Sequence, residues 1–174
     1  MLTGDRVTLR GVERDDLPAL WRMYNDVDVE HRASDRRPVP VSLARLEELF
    51  DERAAEAQHD AIRFVVEVDG DVVGQCLLFH VDDYSRTCDL GISLRRDRWG
   101  HGLGQDAVRT LVGYAFRYLN LRKVSLEVLA DDPRAVGAYR KAGFAEEGRF
   151  RAHTWHGGRY ADVLRMAVFQ DEQD

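Results

Sequence analysis

The run Arg98-Trp99-Gly100-His101-Gly102-Leu103-Gly104-Gln105 sets glycines at alternate positions, between a strand-like stretch and the start of an amphipathic helix. Without side chains, glycines let backbone amides come close to a ligand. The first amides of the following helix lack intrahelical partners and lie at the positive end of its dipole. The combination is a cradle for phosphate. A Rossmann site would use G-x-G-x-x-G in a tight turn and two β-α-β-α-β halves. This chain has G-x-G-x-G after a longer connection and one crossover. Further on, Glu127 and Tyr139 bring a carboxylate and a phenol, groups able to take and give protons. Asp89 is a second carboxylate, in the strand that leads to the glycines.

These groups need a scaffold. Arg6 to Arg10 alternates as a strand, and Leu17, Leu20, Trp21 and Tyr24 have helical spacing behind Asp15-Asp16. Pro38, Pro40 and Ser42 lead into a second helix, Leu43 to Glu56. Ile62, Phe64, Val66 and Val68 alternate, and Asp69-Gly70-Asp71 turns that strand into Val72 to Val81. Thr87 to Leu94 follows a second turn. Leu103, Ala107, Leu111 and Ala115 repeat every fourth residue, with Val108, Val112 and Phe116 beside them, which predicts the helix after the glycines. Lys123 to Leu129 is a strand. Asp132-Pro133 opens a short helix as cap and first-turn proline, and Gly143 ends it. Phe144 to Trp155 and Tyr160 to Phe169 form a closing hairpin across His156-Gly157-Gly158. The order predicts one mixed α/β domain over residues 1–174, antiparallel strands first and one β-α-β crossover in the middle.

Composition narrows the partners. A chain of 174 residues has room for a substantial core. Its net charge of −6 argues against general nucleic-acid binding. Cys76 and Cys88 fall in strand-like segments without a C-x-x-C, as small reduced hydrophobes. The opening residues lack the apolar region of a signal peptide, and no apolar run approaches a membrane span. A cytoplasmic location without a membrane partner is expected. His153 and His156 do not make a metal set, since no further ligand accompanies them.

The three elements together resemble the GCN5-related N-acetyltransferase (GNAT) superfamily, in the branch of ribosomal-protein and spermidine N-acetyltransferases. Trp99 to Gly104 is similar to its acyl-CoA signature Q/R-x-x-G-x-G/A, with Trp in the first place. Asp132 to Phe144 is similar to N-x-x-A-x-x-x-Y-x-K-x-G-F, with Asp where the family has Asn. Glu146 to Arg149 and Gly157 to Asp162 look like that branch's closing hairpin. The resemblance implies a central mixed, twisted sheet of about seven strands flanked by about four helices. It implies acetyl transfer from acetyl-CoA to a primary amine, without a metal. The acceptor is a protein or peptide N-terminus, or a small amine such as a polyamine or an aminoglycoside-type antibiotic. Homodimers are common in that branch.

By the same resemblance, Trp99, Gly100, His101, Gly102, Leu103, Gly104 and Gln105 would meet the CoA pyrophosphate. Ile92, Ser93 and Leu94 would line the pantetheine arm, where strands 87–94 and 123–129 splay apart. Asp132 stands at the family's Asn position, where a carboxylate caps the helix but cannot donate as an amide does. Glu127 lies twelve residues before Tyr139, the spacing at which some family members place base and acid. Glu127 would take the amine's proton, directly or through water, and Tyr139 would protonate the departing thiolate. Asp89 is the other candidate base. Each has a plainer reading: Tyr139 as a packed core aromatic, Glu127 and Asp89 as ordinary ion-pair partners, Asp89 with Arg86 or Arg95. Asp26, Asp28 and Glu30 hint at a cationic acceptor or form a solvated helix end. A CoA-binding sensor without catalysis is the alternative from another class.

Overall fold

The computed structural model describes residues 1–33, 37–55 and 61–172. Its strands are β1 (Leu2–Thr3), β2 (Thr8–Arg10), β3 (Ala61–Val68), β4 (Asp71–Asp82), β5 (Thr87–Leu94), β6 (Lys123–Leu129), β7 (Ala145–His156) and β8 (Arg159–Phe169). The helices are α1 (Leu17–Tyr24), α2 (Val27–Ala33), α3 (Leu43–Ala55), α4 (Leu103–Arg117) and α5 (Pro133–Lys141). All eight strands join one sheet in the order β1-β2-β3-β4-β5-β6-β8-β7. The predicted architecture is thus present, with β1 and α2 added. Two residues show no alternation and a seven-residue helix shows barely two turns, so neither had a periodic signal. The end of the predicted second helix, Glu56, lies outside the described residues.

The sheet is covered on both faces. Leu103, Ala107, Val108, Leu111, Val112, Ala115 and Phe116 of α4 form one buried stripe. They pack with Val66, Leu78, Leu90, Val124, Leu126 and Met166 from the strands. On the other face Leu17, Leu20 and Leu46 of α1 and α3 meet Val65 and Val72. Val65 and Val66 are consecutive and both fully buried, so β3 is covered on two sides. Each such aliphatic side chain contributes about 1.5–3 kcal/mol relative to exposure. No described helix is long and apolar enough to cross a membrane.

Two local features shape the middle of the sheet. The parallel β5–β6 ladder pairs Thr87 with Lys123, Cys88 with Val124 and Asp89 with Ser125, and goes no further. Beyond it each strand follows its outer partner, β5 to the Leu94–Gly74 pair and β6 to the Leu129–Val163 pair. Gly74 permits this: a Cβ there would stand 2.4 Å from the Ser93 carbonyl oxygen, so β4 and the end of β5 meet closely only with glycine. At the far end, Gly157 and Gly158 both have positive φ and close the β7–β8 hairpin in two residues.

Candidate active site

The divergence of β5 and β6 opens a cleft between them. Its walls include Ile92, Ser93 and Leu94 of β5, Glu127 of β6, Trp99 and Gly104 of the glycine segment, and Asp132 and Tyr139 of α5. Residues remote in sequence meet here because α4 carries the chain from β5 across one face of the sheet and back to β6.

The glycine loop is set by conformation. Gly100 and Gly102 have φ of +81° and +76°, a region that side-chain-bearing residues rarely adopt. Gly102 is the N-cap of α4, and no side chain caps the helix. The acidic residue of the first turn, Asp106, points elsewhere: its carboxylate accepts from the backbone N–H groups of Asp5, Arg6 and Val7 at 3.1, 2.7 and 3.0 Å. The amides of Leu103, Gly104 and Gln105 are left at the positive end of the helix, as an anion requires. The loop is buttressed from the β1–β2 turn, where the Arg6 guanidinium donates to the His101 carbonyl oxygen at 2.5 Å. His101 itself is exposed and, with Leu103, borders a second, more open hollow beside Arg6 and Arg98.

Trp99, the departure from the signature, is fixed at the cleft wall. Its indole N–H donates to the Leu94 carbonyl oxygen at 2.8 Å, and the Arg134 guanidinium lies 4.3 Å from its ring centroid. Asp132 caps α5 by accepting from the Ala135 N–H at 3.0 Å. It is buried, and Arg32 and Arg134 donate to it at 3.1 and 3.3 Å. Two guanidiniums therefore offset the charge of this buried carboxylate.

Tyr139 is half-buried, with its ring edge-on to Phe144. Its hydroxyl has no hydrogen-bond partner among the described residues. Burial, and secondarily the Asp132 charge, push its pKa up to about 12. Glu127 shares the cleft and is 44% exposed, with Arg165 donating to it at 3.3 Å. Asp89 is absent from the cleft wall. It pairs with Arg165 at 2.6 Å and with His80 at 3.0 Å, rather than with Arg86 or Arg95. The acidic residues before and within α2 are also engaged: Arg96 bridges Asp26 at 2.5 Å and Asp28 at 2.7 Å. No grouping of three or more potential metal ligands occurs among the described residues.

Three cleft features escaped the sequence reading. α2 supplies Val29, Arg32 and Ala33 to the wall. Arg134 stacks on Trp99, and Arg165 joins the two candidate bases. Arg134 had a local signal, as it follows the helix-opening Pro133. The other contacts depend on pairings remote in sequence.

An open β-α-β crossover with a bare helix N-terminus at its mouth is suited to a phosphate-bearing ligand such as an acyl-CoA. The chain belongs to the acetyltransferase (GNAT) domain family, whose pattern matches residues 6–145. It is an N-acetyltransferase, transferring acetyl from acetyl-CoA to an amine. It is 31% identical over 170 residues to spermidine N(1)-acetyltransferase of Vibrio cholerae, covering 96% of this chain and 95% of that one. The Escherichia coli K12 spermidine N(1)-acetyltransferase is 30% identical over 172 residues, 99% of this chain and 90% of that one. A solved Vibrio cholerae spermidine N-acetyltransferase in complex with CoA and spermine superposes with a TM-score of 0.87 at 30% identity, covering 96% and 97% of the two chains.

Proposed function

We propose that residues 1–174 form one acetyltransferase domain whose acceptor is a small polyamine of the spermidine type. The observation that carries the chemistry is that Glu127 and Tyr139 line one cleft, the phenol without a hydrogen-bond partner among the described residues. The acceptor class is supported by likeness to spermidine N-acetyltransferases along nearly the whole chain. It does not rest on Asp26 and Asp28, which Arg96 already engages.

In this reading the amides from Gly100 to Gln105, with Trp99 and His101 beside them, hold the pyrophosphate. Ile92, Ser93 and Leu94 guide the pantetheine arm. Asp132 fixes the start of α5 and so the place of Tyr139. An acceptor amine with a pKa of about 10 is mostly charged at neutral pH. Glu127 takes that proton, directly or through water. The amine nitrogen then bonds to the thioester carbonyl carbon, its second excess proton passes to water, and the C–S bond breaks with its electron pair leaving on sulfur, which gives the neutral amide and CoA thiolate. Tyr139 donates a hydrogen bond to that thiolate. Its raised pKa makes complete proton transfer to a thiolate of pKa about 8.5 uphill, although the same burial raises the thiol and narrows the gap.

The two buried, free cysteines support a reducing, cytoplasmic setting. The exposed aromatics Phe150, Trp155 and Tyr160 on the β7–β8 hairpin support a homodimer, which light scattering on the purified chain would show as a doubled mass. The proposal needs no nucleic-acid or membrane partner. The direct test is thiol release from acetyl-CoA with polyamines, aminoglycosides and short peptides. Turnover favouring spermidine or spermine is expected. Turnover confined to peptides overturns the acceptor assignment, and none with any amine overturns the catalytic reading.

A further inference from the structure

We infer that Arg165 is a positioning residue for Glu127, and that Asp89 anchors Arg165 instead of serving as a second base. The inference rests on the proposed role of Glu127.

Arg165 is the direct cross-strand partner of Glu127 in the β6–β8 ladder. Its neighbours Leu164 and Met166 enter the core beneath α4, so Arg165 lies on the opposite face, as Glu127 does between Leu126 and Val128. One arm of the guanidinium reaches Glu127 Oε1 at 3.3 Å, and the other reaches Asp89 Oδ1 at 2.6 Å. Asp89 forms the last rung of the parallel ladder, and Glu127 lies two residues further along β6. The guanidinium therefore joins the two strands at the point where their backbone hydrogen bonding stops and the cleft begins.

The two carboxylates differ in what remains open. Asp89 is 16% exposed, and its second oxygen is occupied by His80 Nδ1 at 3.0 Å. Glu127 lines the cleft, and its Oε2 has no partner among the described residues. An arginine fork is rigid and planar. Held on Asp89 by one arm, it reaches Glu127 Oε1 with the other and leaves Oε2 unpaired among the described residues. The groups around Glu127 are Arg165 from β8, Asp89 from β5 with His80 of β4 behind it, Asp132, Arg134 and Tyr139 from α5, and Arg32 from α2. Arg165 is the cation in contact with it, at 3.3 Å.

The test measures thiol release between pH 6 and 10 for the wild type, E127Q, R165M, R165K, D89N and the E127Q/R165M double variant, using the panel amine that turns over fastest. E127Q is expected to lower kcat about 100-fold. R165M should lower it about tenfold alone and less than twofold in the E127Q background, because a residue acting through another has nothing left to act on. The KM for acetyl-CoA should stay within about twofold. R165K keeps the charge but not the fork, so it should lower kcat in the wild-type background, leave KM for acetyl-CoA unchanged, and cost less than twofold in the E127Q background. D89N should lose less than E127Q.

An equal loss from R165M in both backgrounds overturns the positioning role and leaves the role of Glu127 intact. A larger loss in D89N than in E127Q makes Asp89 the base and overturns the assignment. Wild-type kcat in E127Q overturns the underlying role of Glu127, and the inference with it. No wild-type turnover with any amine overturns both. Should R165M not fold, R165K and the E127Q/R165K double variant give the same discrimination through the loss of rate in one background and not the other.

Discussion

The glycine-loop half of the cleft consists of backbone from consecutive residues, Trp99 to Gln105, with the helix behind them as its field. The proposed acceptor half presents the side chains of Glu127 and Tyr139 to the cleft, with Arg165, Asp89 and His80 linked in a chain behind Glu127. The first half depends on φ values and on the absence of side chains. The second depends on registers and ion pairs between distant strands. Damage to the first should therefore appear as lost cofactor affinity, and damage to the second as lost turnover.

The sharpest separation should come from Y139F, which removes one oxygen from the acceptor half. A loss of about 100-fold in kcat is expected, with KM for acetyl-CoA unchanged, in steady-state thiol release. Because burial lifts the phenol to about 12, the wild-type enzyme should show no basic limb from Tyr139 below pH 11. The neutral hydroxyl is the folded form's preferred state, and it persists until pH rises through that value. Equal losses in affinity and rate would break the division between the halves.

D106A probes the glycine half through its support. Three backbone N–H groups would lose their acceptor, that of Val7 being buried. Urea unfolding should show a destabilisation of about 3 kcal/mol, and acetyl-CoA affinity should fall with it as Arg6 loosens from the His101 carbonyl. A stable variant with wild-type affinity would show that the β1–β2 turn does not support the loop.

G102A is the mildest. Alanine at φ +76° is strained by about 1–2 kcal/mol, and its Cβ would stand 3.1 Å from Arg6 Nη1. Calorimetry should show about tenfold weaker acetyl-CoA binding, with saturating kcat within twofold. A fall in kcat alone would place the loop's effect on the chemical step.

The contrast also explains what could be read in advance. The glycine segment, the α4 stripe and the Asp132 cap were legible because each is a pattern within a dozen residues, produced by one helix or its end. Even so, the short α2 went unseen, and with it the cleft wall made by Val29 and Arg32. Asp26 and Asp28 looked available to a cationic ligand, whereas Asp26 is held by a guanidinium 70 residues away. Asp89 stood second to Glu127 as a candidate base and was expected to pair with Arg86 or Arg95, whereas Arg165 and His80 take its two oxygens.

The sequence by itself determined the local conformations: where strands alternate, where a helix begins without a cap, and where only glycine fits a positive φ. These follow from steric limits and hydrogen bonding between near neighbours, which distant residues hardly alter. The tertiary structure alone decided which carboxylate faces the cleft. Arg165 meets Asp89 across 76 residues and Glu127 across 38, through a strand order that inserts β8 between β6 and β7. Charge pairing at such separations depends on the packed sheet that brings the strands together.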